Sequence, residues 1–379
     1  QFSPAFSQQP YVGDPDQQKP TLHVQPPALP PSLRSQGTRA PSSVINGITY
    51  IDVFLSAGYD LSNDDRGNEP AITANPLNPN QIVLTSFSGS DWPFGGNASF
   101  FYSNNGGASW AYTLAVPPPP GTTTNYYCPC DQNMDWGRDG QLYGTFLHYN
   151  FGGTVSTVFS AQATNPTDPA SWIYRTPGGV AQSTNLPSLI YPDQPWLWSG
   201  PLPGDNSRTN VCVAYDNFDS GYGNSQMRNA DSPGSSPLDF TRDAPANIDS
   251  LQFNDGMNPG TRIAVGPDGK IFNVYQRFVS SDASGVKILT YLLNVSSDGG
   301  QTWSVANSDH SSGAKIIAAN VNSFQGNGSK IGGVNALLGG VDAITVDKTG
   351  AAWVVYGARA TLTAHDQLFL VKITNNLGS

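Results

Sequence analysis

A strand hairpin that recurs along the chain most restricts what this sequence can fold into. In three copies a turn glycine is followed, three and six places later, by large apolar residues. These pairs are Tyr143 with Phe146, Phe272 with Tyr275, Trp353 with Tyr356 and, in a copy without the glycine, Cys212 with Tyr215. A fifth copy, residues 70–87, has a longer turn. Repetition of one hairpin predicts that these side chains pack in equivalent layers.

A second landmark is a tight-turn sequence that occurs twice, at residues 103–110 and 296–303, which we call the motif turns. The later copy is Ser296-x-Asp298-x-Gly300-x-Thr302-Trp303, and the earlier copy has Asn105 and Ser109 at the matching places. The Asp or Asn is expected to bind backbone amides, the glycine to relieve the bend and the Trp to cover the sheet edge. The motif turns are therefore predicted to serve folding and not catalysis.

The spacing of the tryptophans gives the size of the repeating unit. Trp110, Trp172, Phe240 and Trp303 follow one another at intervals of about 65 residues. A unit of that length, with a hairpin and a motif turn, predicts one four-stranded sheet.

Composition supports a fold of short strands. Charged residues make up 12%, aromatic residues 11%, and there are 40 Gly and 31 Pro. Glu69 is the only glutamate, and the other acids are Asp, which favours turns over helices. A net charge of −10 without a Lys/Arg cluster argues against nucleic acid as a partner, and no apolar run is long enough to cross a membrane.

The motif turns, together with Glu69-Pro70-Ala71-Ile72 leading into Asn75-Pro76-Leu77-Asn78-Pro79, resemble the sialidase-like, BNR-repeat (Asp-box) β-propellers over residues 66–379. The resemblance implies an all-β fold, a β-propeller of six or seven four-stranded blades, about five of them recognisable. We predict a Pro/Gln/Ser-rich N-terminal arm at residues 1–45, a propeller at residues 46–379 and a first strand at Gly47 to Leu55.

The resemblance implies a carbohydrate-active function, since this architecture carries glycosidases, polysaccharide lyases and lectins. The expectation is a secreted enzyme that cleaves a glycosidic bond in an extracellular glycan, as a sialidase-like glycosidase or a lyase. The alternative is a lectin-like protein that binds carbohydrate without cleaving it.

The last six residues repeat the beginning of a motif turn. Thr374 to Ser379 matches its first six places and stops before the Trp. We therefore expect a further polypeptide segment to complete the propeller, with the Gly47 to Leu55 strand adding an edge to the last blade.

Carboxylates are predicted where the first strands of four of the five blades begin, around the mouth of the central channel. They are Glu69, Asp131, Asp193 and Asp342, and Thr261 stands at the remaining entry. Such a ring can supply the acid, base or nucleophile of glycoside cleavage or can hold a cation; alternatively, each acid caps its local backbone. The standard sialidase nucleophile, a Tyr paired with a Glu, is disfavoured because Glu69 is the only glutamate.

Arginines and tryptophans supply candidate substrate contacts. Arg262 and Arg66 are candidates to bind a substrate carboxylate, and Arg277 and Arg359 are further candidates. The alternative is that these arginines are surface residues without a role in substrate binding. Trp136, Trp196 and Trp198 form a platform for sugar rings or else pack between blades. His148 suits a lyase mechanism or is simply packed.

The N-terminal residue, the sequons and the cysteines bear on secretion and covalent modification. Gln1 and three sequons, at Asn97, Asn294 and Asn327, suit a secreted, extracellular glycoprotein. Cys212 is either a buried apolar residue or bridged to Cys128 or Cys130. No cofactor is expected except Ca2+ at Asp60 to Asn68 or Asp216 to Asp219, where Asx turns are the alternative.

Overall fold

The computed structural model describes most of the predicted propeller and short parts of the segment before it. The described residues are 36–39, 43–45, 48–50, 53–54, 71–85, 92, 96–120, 126–150, 156–175, 192–217, 224–232, 242–243, 261–281, 286–304, 315–324, 330–331, 334–335, 341–358 and 367–374. They contain 25 β-strands and no α-helix. The all-β fold is therefore confirmed. No helix long and apolar enough to span a membrane occurs in these ranges.

The strands form successive antiparallel sheets, each built from consecutive segments of the chain. The N-terminal strands are β1 (Gln36–Arg39), β2 (Ser43–Ile45), β3 (Ile48–Tyr50) and β4 (Val53–Phe54). The first blade contains β5 (Ala71–Ala74), β6 (Ile82–Thr85), β7 (Ala98–Ser103) and β8 (Trp110–Val116). The second contains β9 (Tyr126–Trp136), β10 (Leu142–Asn150), β11 (Ser156–Ala163) and β12 (Trp172–Arg175), and the third contains β13 (Pro192–Leu202), β14 (Asp205–Asn217), β15 (Asn224–Ser232) and β16 (Arg242–Asp243).

The later blades follow the same order. The fourth contains β17 (Arg262–Val265), β18 (Ile271–Ser281), β19 (Val286–Ser296) and β20 (Lys315–Phe324). A small ribbon of β21 (Lys330–Ile331) and β22 (Val334–Asn335) precedes the fifth blade, of which β23 (Val341–Val346), β24 (Ala352–Ala358) and β25 (Gln367–Ile373) are described.

The first strands of the five blades lie next to one another in chain order. Strand β5 contacts β9, β9 contacts β13, β13 contacts β17, and β17 contacts β23. The remaining strands of each sheet follow outward in sequence. Sheets that radiate in this way from a common line of first strands define a β-propeller, whose channel is bordered by those strands.

Each blade packs on its neighbours through two distinct faces. We call the face toward the following blade the leading face and the one toward the preceding blade the trailing face. Tyr143 and Phe272 lie on leading faces and are buried against the third and fifth blades, respectively. Phe146, Tyr215, Tyr275 and Tyr356 lie on trailing faces of four successive blades, each in the cluster shared with the blade before. The predicted common register is therefore confirmed.

The motif turns have the predicted geometry. In the later turn the Asp298 carboxylate accepts hydrogen bonds from the Thr302 N–H (2.9 Å) and hydroxyl (2.6 Å) and from the Ser296 hydroxyl (2.8 Å). Gly300 has a φ of +89°, a backbone conformation that glycine adopts readily and that residues with a side chain disfavour. Trp303 is buried between the third and fourth blades. In an antiparallel meander these turns lie at the end of the ring opposite to where the first strands begin.

The segment before the propeller joins the first blade. Strand β1 pairs with β8 through Gly37 and Trp110, and β4 pairs with β1, giving a six-stranded sheet. The prediction that the Gly47 to Leu55 strand adds an edge to the last blade is therefore wrong. The physical reason is that β8 presents an open outer edge, and β1 satisfies its backbone groups.

Cys212 is a fully buried thiol in the cluster between the third and fourth blades. The alternative of a disulfide to Cys128 or Cys130 is therefore wrong. The cysteine packs as a small apolar residue at the place where other blades carry Tyr143 and Phe272.

Candidate functional site

Irregularities in three first strands mark one end of the ring. In the second blade two residues, Asp131 and Gln132, stand opposite a single residue, Phe146. In the third blade Gln194 and Pro195 stand opposite Tyr215 in the same way. These are β-bulges, which re-aim side chains and are common beside active sites.

The two bulges share an unusual backbone conformation. Asp131 has a φ of +46° and Gln194 a φ of +48°, and they are the only described residues other than glycine with positive φ. Such a conformation costs about 1–3 kcal/mol and persists where the surroundings impose it. Because the strained residues occupy matching places in adjacent blades, this end of the channel, the mouth, is the candidate site.

The predicted carboxylates fall at this end of the first strands. Asp131 lies in the bulge of the second blade and is partly exposed. Asp193 directly precedes the bulge of the third blade, and Asp342 is the extra residue of a bulge in the fifth. The side chains of Asp193 and Asp342 lie outside the described part, as do Glu69 and Arg66 entirely.

Arg262 and Trp196 join the third and fourth blades at the mouth. The guanidinium of Arg262 lies 4.7 Å from the centre of the Trp196 ring, and its Nη1 donates to the Thr261 carbonyl at 2.8 Å. Arg262 is buried, whereas Trp196 is half-buried and follows the bulge of its strand. The sequence predicted both as substrate contacts, and the structure brings them together in one cation–π pair.

Trp136 is different from these two. It is 4% exposed and packs in the cluster between the first and second blades, so its predicted role as a sugar platform is wrong. It ends its strand, far from the mouth, where the blade interface buries it. Trp198 is half-buried and packs toward the fourth blade.

His148 is packed and does not line the channel. Its ring lies 5.9 Å from that of Trp92 and 5.5 Å from that of Phe159. Burial lowers the pKa of His148 to about 4, so the imidazole is neutral at physiological pH. This agrees with the packed alternative and not with a lyase role.

A ladder of side-chain hydrogen bonds connects the first strands below the mouth. The Asn133 Oδ1 accepts from the Leu197 N–H at 2.9 Å. Two residues further, Asp135 Oδ2 accepts from the N–H and hydroxyl of Ser199, both at 2.8 Å. Its Oδ1 accepts from the Thr73 hydroxyl at 2.7 Å, so one carboxylate joins three blades. The ladder fixes the strands that carry Asp131 and Gln194.

The pKa of Asp135 is raised above its ordinary value. Burial disfavours the charged carboxylate, and the hydrogen bonds from Ser199 and Thr73 only partly offset this. A raised pKa in the folded state means that the contribution of this group to stability is largest below its unfolded pKa, about 4, and is lost as pH rises through the raised value.

Asp135→Asn is expected to remove this pH dependence. The amide oxygen can accept from Ser199, and the amide nitrogen can donate to the Thr73 hydroxyl, so the ladder is kept without a buried charge. As pH rises from about 4.5 to 7.5, the free energy of unfolding of the wild type should fall relative to that of the variant. Urea titration at several pH values measures this difference. Asp135→Ala, which leaves the Ser199 and Thr73 groups without their acceptor, should lose about 1–3 kcal/mol. Equal pH slopes for wild type and Asp135→Asn would contradict the assignment.

The three predicted glycosylation sites have different outcomes. Asn294 is fully buried in β19, where its Oδ1 accepts from the Ser304 hydroxyl at 2.7 Å. A glycan cannot be accommodated there, so this prediction is wrong. Asn97 is half-exposed and stays a prediction, and Asn327 lies outside the described residues.

No group of three or more His, Cys, Asp or Glu side chains suited to a metal ion occurs in the described part of the chain. Both acid-rich stretches considered for Ca2+, Asp60 to Asn68 and Asp216 to Asp219, have their side chains outside that part.

The sequence alone did not indicate the bulges, the ladder or the role of Asp135. One signal was available, because Asp-Gln occurs at residues 131–132 and again at 193–194. The structure shows that the strained residue is the Asp in one case and the Gln in the other.

Comparisons with known proteins give only distant structural likenesses. No protein-family model and no curated protein sequence matches the chain. The α-L-arabinofuranosidase of Fusarium graminearum is 10% identical, with 80% of each chain covered and a TM-score of 0.47. The leech intramolecular trans-sialidase is 8% identical, with 84% of this chain and 60% of that chain covered and a TM-score of 0.44. The endo-arabinase of Bacteroides thetaiotaomicron is 10% identical, with 82% and 95% covered and a TM-score of 0.38.

Proposed function

We propose that this protein is a secreted carbohydrate-active enzyme that cleaves a glycosidic bond at the mouth of its channel. The observation that carries the proposal is the pair of bulges with positive φ at Asp131 and Gln194. Strain of this kind at matching places in two adjacent blades persists only where the surroundings impose it, and such bulges are common beside active sites.

The chemistry at the mouth suits glycoside cleavage. The reaction needs one carboxyl group to protonate the leaving oxygen and a second to act as nucleophile or to activate water. Asp131 supplies one; Asp193 lies at the same end of the adjacent first strand, and Asp342 at the same end of the first strand of the fifth blade. The half-buried Trp196 ring offers a flat apolar surface for a sugar, and the Arg262 guanidinium lies over that ring at 4.7 Å.

The test is a screen of purified protein against a panel of polysaccharides. Released reducing ends report hydrolysis, and the absorbance of unsaturated uronates reports elimination. Asp131→Asn is the informative variant, because Asn tolerates positive φ and the backbone of the bulge is kept. Asp268→Asn is the matched control, since Asp268 lies in an exposed turn at the opposite end of the ring.

The expected result is cleavage of at least one polysaccharide, reduced about 10²- to 10⁴-fold by Asp131→Asn and unchanged by Asp268→Asn. Full activity of Asp131→Asn would remove Asp131 from the mechanism. Retention on a polysaccharide column without any cleavage would replace the enzyme proposal by the lectin-like alternative.

A further inference from the structure

We propose that a buried water molecule, bound between the third and fourth blades, joins these two blades through hydrogen bonds. Its binding site consists of three buried side chains, Asn210, Asn273 and Trp303, which we call the interblade polar site. Each has at least one nitrogen or oxygen atom without a hydrogen-bond partner among the described residues. Because nearly all buried polar groups in proteins are hydrogen-bonded, these atoms indicate a bound polar molecule.

Asn210 is the contribution of the third blade to this site. It is 0% exposed, and neither its Oδ1 nor its Nδ2 has a partner within the described part of the chain. Asn210 pairs with Gly200 across β13 and β14, so both residues face the same side of the sheet. A Cβ added to Gly200 would lie 2.4 Å from Cγ1 of Val265, which belongs to the fourth blade. The amide of Asn210 therefore faces the fourth blade beside Val265.

Asn273 comes from the fourth blade. Val265 pairs with Ile271, and Asn273 lies two places further along β18, on the same face of the sheet. The Nδ2 of Asn273 donates to the Thr261 hydroxyl and, at 3.3 Å, to the Arg262 carbonyl. Its Oδ1 has no partner in the described ranges. One acceptor of Asn273 is therefore available at the interface with the third blade.

Trp303 supplies the remaining donor and differs from the tryptophan at the same place in the earlier motif turn. The Nε1 of Trp110 donates to the carbonyl of Gly107 in its own turn, at 3.1 Å. The Nε1 of Trp303 is buried and makes no such bond with any described residue. The indole packs with Val265 and Ile271, the residues that also adjoin Asn210 and Asn273. The N–H of Trp303 therefore needs an acceptor from outside its turn, at this interface.

The unpaired atoms determine which molecule fits. There are two kinds of group: the acceptors are Asn210 Oδ1 and Asn273 Oδ1, and the donors are Asn210 Nδ2 and Trp303 Nε1. A water molecule donates two hydrogen bonds and accepts two, and buried waters typically make about three such bonds. An anion would be repelled by the two amide oxygens, and a cation by the N–H groups. Water is therefore the molecule whose hydrogen bonds match the whole set.

The first experiment detects this water by NMR in protein labelled with ¹⁵N-tryptophan. We expect a cross peak between the indole proton of Trp303 and a long-lived water. No such peak is expected for the matched control Trp110, because its indole proton is bonded to the Gly107 carbonyl. Trp303→Phe and Trp110→Phe assign the two signals. A Trp303 proton without a water cross peak, or peaks of equal strength at both tryptophans, would overturn the proposal.

The second experiment is Asn210→Leu, which keeps the branching and the number of heavy atoms of the side chain. It removes two of the partners of the water and leaves Asn273 and Trp303 with unpaired atoms. The urea midpoint of the variant should therefore fall, and the Trp303 cross peak should weaken or disappear. A higher midpoint would overturn the proposal, because it is the result expected when an amide without any partner is removed. Neither experiment uses the cleavage assay, so this proposal and the proposed function can fail independently.

Discussion

Trp303→Ala is expected to lower the free energy of unfolding by about 3–5 kcal/mol. The indole is 9% exposed and fills the space between the third and fourth blades, where it shares a cluster with Cys212, Tyr275 and Leu292. Removing it leaves a cavity that the two sheets cannot close, because the motif turn and its hydrogen bonds hold the backbone in place. Urea titration measures the loss, and Trp303→Phe should lose less.

The same variant separates folding from function. Below its melting temperature, folded Trp303→Ala should keep the polysaccharide cleavage of the wild type, because the motif turn lies at the end of the ring opposite the mouth. Loss of activity with unchanged melting would contradict a purely structural role for this turn.

Gly269→Ala is expected to cost about 2–5 kcal/mol, from two separate effects. The residue has a φ of +84°, which disfavours any side chain by about 1–2 kcal/mol. An added Cβ would also lie 2.4 Å from the backbone nitrogen of Pro203 and 2.7 Å from the carbonyl carbon of Leu202, and neither atom can move without shifting the third blade. Overpacking of this kind adds about 1–3 kcal/mol.

Gly204→Ala provides the matched control for this substitution. Gly204 has a similar φ of +77° and also lies in a hairpin turn, but an added Cβ would meet no atom within 4 Å. It should therefore show only the cost of its backbone conformation. Equal losses of unfolding free energy in the two variants would show that the contact between the third- and fourth-blade turns is not tight.

The parts of the fold that the sequence predicted are those fixed by local spacing. The turn glycine and the apolar residues three and six places later set the register of the hairpins. The equivalent positions of Phe146, Tyr215, Tyr275 and Tyr356 in their blades could therefore be predicted. Alternation along a strand then assigns each aromatic to one face of its blade. The motif turns were likewise predictable, because the hydrogen bonds of Ser296 and Asp298 within the later turn join residues no more than four places apart.

The features that escaped prediction depend on partners far along the chain. Asp135 reads as a turn-forming acid, and its partners Thr73 and Ser199 are 62 and 64 residues away. The bulge at Gln194 arises from pairing across two strands, and the Asp-Gln pair at residues 193–194 does not by itself predict a bulge. Asn294 carries a valid sequon, and only the packing of the sheet shows that its amide is buried.

The side-chain ladder determines which first strands are held in place relative to one another. Hydrogen bonds through Asn133 and Asp135 hold the first strands of the first three blades at set distances and angles. Asp131 lies on a strand that the ladder joins on both sides, to the first blade and to the third. Asp342 lies on the first strand of the fifth blade, which none of these hydrogen bonds reaches. The position of Asp131 relative to the strands beside it is therefore fixed by side-chain hydrogen bonds in addition to backbone packing.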